Sequence, residues 1–188
     1  MKARIMADET KLYPFDMVEV ALREYKKQAK LLVRDVILLL LYAIKDKPIY
    51  GRTMLMKQVF LTYEEILKKH GIVFQDPKFV PYKFGPYSFI VTQVLEDLHF
   101  AGYIRIEGRR NTKKEKFLLT DAGIKEAYRR FQTLPPKIRE EIVKKRIGWD
   151  QLGTRGILNY VYTKYPKYKE KSEIKKKYKE IIWGQGKG

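Results

Sequence analysis

Tyr103-Ile104-Arg105-Ile106 and, ten residues on, Lys116-Phe117-Leu118-Leu119-Thr120-Asp121-Ala122-Gly123 are the stretches on which the reading of the fold turns. Ile104/Ile106 and Phe117/Leu119 each alternate toward one face, the period of short half-buried strands. Between them runs Glu107-Gly108-Arg109-Arg110-Asn111-Thr112-Lys113-Lys114-Glu115, a charged polar loop with Gly near its start. Thr120 or Asp121 can cap a following helix in which Ile124, Ala127, Tyr128 and Phe131 share an apolar face. A cationic β-ribbon on a helical body is therefore expected.

Working upstream, Pro86 can occupy the first turn of a helix, where its missing N–H costs nothing. Ile90, Val94, Leu95 and Leu98 give that helix, residues 86–100, its apolar side, and Ala101-Gly102 ends it. A helix over 53–69 buries Leu55, Val59, Phe60, Ile66 and Leu67, with His70-Gly71 as its exit. Residues 29–44 are apolar around most of their circumference, as in a central core helix. Further upstream, Val18, Ala21, Leu22 and Tyr25 recur at helical spacing after Pro14.

Downstream, Pro135-Pro136 opens a helix expected to end near Gly148, with Glu140/Lys144 and Glu141/Lys145 paired on its exposed side. Leu158, Val161, Tyr162 and Tyr165 mark another helix, stopped by Pro166. A final basic segment places Ile174, Tyr178, Ile181 and Ile182 on one face.

Three helices, a hairpin and a helix make the plan of a winged helix. The expected fold class is α+β and predominantly helical: a winged-helix core with a two-stranded wing, plus extra helices at both ends. Residues 1–29 form an N-terminal extension, 30–133 the core, and 134–188 a helical extension with a basic tail.

Hydrophobic residues at 45% suffice for a core. A formal charge of +18 favours an anionic partner, either DNA or structured RNA. The bland reading of the same charge is a heat-adapted protein with a highly charged surface. The absence of cysteine excludes disulfides and thiol chemistry. No signal peptide is visible, and the longest apolar run, Val36 to Ile44, is far short of the roughly 20 residues that span a bilayer. A cytoplasmic protein without membrane partners is expected.

The charge is unevenly placed. Residues 101–130 carry nine basic and four acidic residues, and residues 164–188 carry nine lysines and three glutamates. Arg105, Arg109, Arg110, Lys113, Lys114 and Lys116 lie in or beside the wing, and Lys175, Lys176 and Lys177 in the tail. All can hold phosphates, which position a nucleic acid without reading its sequence. Residues 86–100 contain no Lys or Arg but do contain Glu96 and Asp97, so Thr92 and Gln93 are the only candidate base readers. A sequence-specific repressor is disfavoured. An RNA- or ribosome-associated factor competes with a DNA-binding regulator. The tyrosines at 160, 162, 165 and 168 could stack on bases, but their helical spacing suits packing.

Tyr82-Lys83-Phe84-Gly85-Pro86-Tyr87-Ser88, preceded by Leu55-x-Lys57-x-Val59-Phe60-Leu61 and followed by a helix, a Gly and a hairpin, resembles the YwgA-type and Panacea (SocA-like) antitoxin-related proteins. The resemblance covers roughly residues 30–130. It implies a compact α-rich winged-helix domain without enzymatic activity, acting as antitoxin, adaptor or regulator, and so admits a protein partner. From the residues alone, Tyr82, Phe84 and Tyr87 are expected to pack the turn onto the core. A second reading has Lys83, Tyr87 and Ser88 meeting a phosphate at the helix N-terminus.

Enzyme signatures are weak. His70 and His99 each stand at an expected helix end without a ligand pattern. Glu64-Glu65 and Glu140-Glu141 read as exposed helix faces, and Gly51-Arg52-Thr53 lacks phosphate-loop spacing. No catalytic residue, metal or cofactor is expected. A homodimer through the apolar stripe of residues 13–25 is expected.

Overall fold

The computed structural model describes residues 31–168. The helix expected after Pro14, the dimer stripe at 13–25 and the basic segment bearing Lys175, Lys176 and Lys177 lie outside the described residues. Within them the fold is α+β, mostly helical, with small antiparallel sheets.

The central helix α1 (Val33–Ala43) buries Val33 and every residue from Val36 to Leu41. It starts later than the apolar run predicts because Leu31 is held in extended backbone. Leu31 donates to the Val73 carbonyl at 3.0 Å and accepts from Gln75 N–H at 2.7 Å. Two side chains then satisfy the open N–H groups of the first turn: Asp35 accepts from Leu32 at 2.9 Å and Gln75 from Val33 at 3.1 Å.

Strand β1 (Ile49–Tyr50) leads into α2 (Arg52–Thr62), which buries Met54 through Thr62. The single helix expected to residue 69 instead loosens into a π-helical turn, Tyr63–Leu67. There Lys68 N–H reaches the carbonyl of Tyr63, five residues back, at 3.1 Å. The turn places Tyr63, Glu65, Ile66 and Leu67 all inside.

Proline 86 does not open a helix. It sits in β3 (Gly85–Tyr87), facing Pro81 of β2 (Val80–Tyr82) in a small hairpin. Helix α3 (Phe89–Phe100) begins after Ser88, whose hydroxyl accepts from Val91 N–H at 3.0 Å. Ser88 stands at the N-cap position where such a side chain contributes about 1 kcal/mol.

Strands β4 (Ile104–Glu107) and β5 (Lys116–Leu119) pair antiparallel, with Ile104 opposite Leu119 and Ile106 opposite Phe117. The alternation read from the sequence sets their inner face. Strand β1 adds itself on the far side of β5, Ile49 opposite Phe117. Thr120 caps α4 (Asp121–Thr133), accepting from Gly123 N–H at 3.1 Å. A Cβ on Gly123 would stand 1.9 Å from the Tyr103 carbonyl oxygen, so the start of α4 can lie against β4 only with glycine there.

Helix α5 (Pro136–Lys164) runs past Gly148 and breaks at Gly153, whose φ of 63° and ψ of 178° are not helical. Residues 136–152 and 154–164 are thus two limbs of a bent rod. The members of the expected Glu141/Lys145 pair bond elsewhere: Glu141 bonds Lys69 and His70 at 2.8 and 2.6 Å, and Lys145 bonds Glu65 at 2.8 Å. Glu65, read as an exposed face, is buried, and also accepts from Lys164 at 2.7 Å, Tyr160 at 2.7 Å and Tyr165 at 3.4 Å. Burial pushes the Glu65 carboxyl up, but the hydrogen bonds from Lys145, Lys164 and Tyr160 outweigh it, so the net shift is downward.

Ile142, Trp149, Ile157 and Val161 of α5 join α1 and α2 in one buried cluster. Phe60 anchors it, with the rings of Phe79, Tyr165 and Tyr168 edge-on at 5.0–5.1 Å. Tyr162, Tyr165 and Tyr168 are packing residues. Each fully buried large apolar side chain contributes about 1.5–3 kcal/mol.

Candidate functional site

The β4–β5 loop is fastened at its tip. The Glu115 carboxylate is wholly buried, accepting from Arg52 Nη2 at 2.8 Å through one oxygen and from Asn111 N–H at 3.0 Å through the other. The Glu115 carbonyl also accepts from Gly51 N–H at 2.8 Å. Thr112 closes the turn, donating to the Arg109 carbonyl at 2.6 Å and accepting from Lys114 N–H at 3.1 Å. Burial lowers the Arg52 pKa, but the hydrogen bonds to Glu115 and Glu96 outweigh it and raise it overall.

The cations on this loop divide into two groups. Arg110 pairs with Glu96 of α3 at 3.0 Å, and Arg105 lies 3.6 Å from Glu107. Arg109, Lys113 and Lys114 are exposed and have no carboxylate within ion-pair distance among the described residues. Lys116 is half-buried in β5. Helix α3 offers little beside them: Glu96 is shared between Arg52 and Arg110, Gln93 bonds Asp97 at 2.9 Å, and Thr92 donates to the Tyr87 hydroxyl at 2.8 Å.

The anion site imagined for Lys83, Tyr87 and Ser88 does not assemble. Ser88 is fully buried, its hydroxyl accepting from Val91 N–H and donating to the Pro77 carbonyl. The aromatic turn is also less buried than its composition predicts. Tyr82 and Phe84 stay exposed. The rings of Tyr82, Tyr87 and Phe89 pack on one another at 5.0–5.8 Å instead. Gly85, Pro86 and Ser88 are the buried residues of the turn, and Tyr87 packs partly against the core. A Cβ on Gly85, whose φ is 85°, would come within 2.9 Å of the Tyr162 ring.

A cavity of about 740 Å³ opens between these parts. The start of α2 supplies Gly51, Arg52 and Thr53; the loop tip supplies Asn111, Thr112 and Lys113. The small hairpin adds Tyr82, Phe84 and Tyr87, and the second limb of α5 adds Thr154, Arg155 and Leu158. Five lining residues are Lys or Arg and none is Asp or Glu. No side chain caps the N-terminus of α2. Lys57, almost fully buried at the floor, donates to the Pro86 carbonyl at 2.8 Å. Burial pushes its ammonium down to about 7.

The structure thus brings Lys83, Tyr87 and Lys113 around one hollow, while Arg105, Arg109, Arg110 and Lys114 stay with the ribbon. Sequence reasoning passed over Lys57, Arg155 and Glu115 as functional residues. A lysine at 57, inside the largely apolar run 54–61, was the one legible signal among them. The Arg52–Glu115 pair spans 63 residues and leaves no local trace. No group of His, Asp or Glu that could hold a metal ion occurs among the described residues. No helix among them is long and apolar enough to cross a membrane. Set beside known proteins, the chain matches no family model and no curated protein.

Proposed function

We propose that this chain is a non-enzymatic winged-helix protein that binds nucleic acid through backbone phosphates, acting as a transcriptional or antitoxin-like regulator. The element order supports the winged-helix reading: α1, β1, α2, α3, the β4–β5 hairpin and α4, with β1 joining the hairpin as a third strand. One observation carries the binding role. The ribbon exposes Arg109, Lys113 and Lys114 without carboxylate partners among the described residues, while the neighbouring helix spends its acidic Glu96 on Arg52 and Arg110. Cations that answer to no internal anion attract phosphates and release counterions when they bind.

The test is affinity for a DNA duplex and for a structured RNA over a salt series. With three phosphates held, log affinity falls with log salt at a slope of about −3 on duplex DNA. The double variant Arg109→Glu/Lys114→Glu loses most of the affinity and flattens the slope. Salt-independent binding, or an unchanged slope in the variant, removes the proposal. Tighter binding to RNA, with cosedimentation on ribosomal particles, favours the RNA-associated form of the reading.

The exposed rings of Tyr82, Phe84, Phe89 and Phe100 favour a second reading, the protein-binding antitoxin or adaptor role implied by the resemblance to YwgA-type and Panacea proteins. A partner captured after nuclease treatment and lost on Phe89→Ala supports it. Capture that survives the substitution opposes it.

A further inference from the structure

The cavity beside the ribbon combines three features that a solvated surface does not need. Lys57 is 2% exposed and has three donors, yet its ammonium donates to a neutral carbonyl, that of Pro86 at 2.8 Å. An ammonium taken out of water and given no anion is destabilised, and a bound anionic oxygen is the group that would offset this. The downward shift of its pKa to about 7 records the same deficit.

The second feature is the start of α2. Its N-terminus has no side-chain cap, and its first residues, Gly51, Arg52 and Thr53, line the cavity. Open N–H groups and the positive end of the helix dipole favour a phosphate there. Arg52 itself is committed to Glu96 and Glu115 and serves as a strut.

The third feature is the opposite wall. Tyr82 and Phe84 are 39% and 44% exposed and line the cavity with Tyr87, while Met56 and Leu158 make the remaining apolar lining. Aromatic faces beside an anion site suit a ligand with a flat ring at one end and a phosphate at the other. A volume of about 740 Å³ lies within the range of small-molecule sites.

From these three we infer that the cavity is a binding site for a nucleotide unit, its phosphate held by Lys57, Lys113 and the α2 N-terminus and its base against Tyr82 and Phe84. The unit can come from a free mononucleotide or from an unpaired residue of a strand; the chemistry recognised is the same. The site shares Lys113 with the ribbon but not Arg109 or Lys114, which do not line it, so the two bindings can be separated at those residues.

The experiment is calorimetric titration of the full chain with AMP, UMP, inorganic phosphate, and a short single-stranded oligonucleotide. It compares the wild type, Lys57→Met, Phe84→Ala and Arg109→Glu/Lys114→Glu. Lys57→Met keeps the side-chain length and removes a buried charge, so loss of folding is not its expected effect. Phe84→Ala alters an exposed ring and gives a second handle.

The expected result is mononucleotide binding weakened at least about tenfold by Lys57→Met and by Phe84→Ala, and unchanged in the ribbon variant. If mononucleotides do not bind but the oligonucleotide does, with the same sensitivity to Lys57→Met and Phe84→Ala, the unit belongs to a strand. Phosphate binding as tightly as AMP overturns the base-binding half. Ligand binding indifferent to Lys57→Met, or no binding of any probe, overturns the site altogether.

Discussion

Lys114 on the ribbon and Lys57 under the small hairpin carry the same functional group and have opposite energetics. Lys114 is exposed, and a charge in that position contributes little to stability either way. Lys57 is enclosed, donating to a backbone carbonyl, and burial alone lowers its pKa. The net charge of the chain counts both equally. What distinguishes them is whether water still reaches the ammonium. A lysine kept where it destabilises the fold is a stronger pointer to a ligand than many lysines kept where they are harmless.

The comparison can be broken most forcefully between its two members, at Glu115. Glu115→Ala removes the buried carboxylate that holds both Arg52 and Asn111 N–H, leaving the guanidinium with Glu96 alone. The expected cost is about 3 kcal/mol in urea unfolding. A loss under about 1 kcal/mol would mean that the loop tip holds itself.

Lys57→Met tests the buried member directly and is expected to stabilise the protein by about 2 kcal/mol near neutral pH. The sign follows from linkage. The folded pKa of about 7 lies below the unfolded value. Below pH 7 both states are protonated and the burial penalty is present in full. Between about pH 7 and pH 10.4 the unfolded chain binds the extra proton, so wild-type stability rises with pH. The advantage of the variant therefore shrinks across that interval. Melting curves at about pH 6.5 and pH 10 read it, and a constant difference would contradict the burial account.

The smallest effect is expected on the solvated side. Arg109→Glu/Lys114→Glu should move stability by no more than about 0.5 kcal/mol, measured by urea titration. A larger change would place those side chains in the fold's own energetics and make them less available to phosphates.

Elements with a full period of apolar residues were legible in advance. The alternation in β4 and β5, the Thr120 cap and the burial of Leu95 and Leu98 in α3 follow from local chemistry, whereas α2 also buries Lys57, Gln58 and Thr62, which no apolar period marks. Strand β1 was not legible, because two residues cannot display a period of two. Pro86 misled because proline suits a first helical turn and a short strand alike; the Ser88 cap decides between them. Gly148 and Gly153 look equivalent in sequence, and only the backbone shows that the second bends the rod. The candidate cavity was hidden for a different reason. Gly51, Lys83, Lys113 and Arg155 come from four separate segments, and nothing in their spacing announces that they meet. Glu65 was misread likewise, since its partners Lys145 and Lys164 lie 80 and 99 residues away.

That last carboxylate has a mechanical corollary. Lys145 belongs to the limb before the Gly153 bend, whereas Tyr160 and Lys164 belong to the limb after it. A single side chain on the π-helical turn therefore braces both arms of an elbow. The second limb, with Thr154, Arg155 and Leu158, is thus tied to the first through a residue that does not line the hollow.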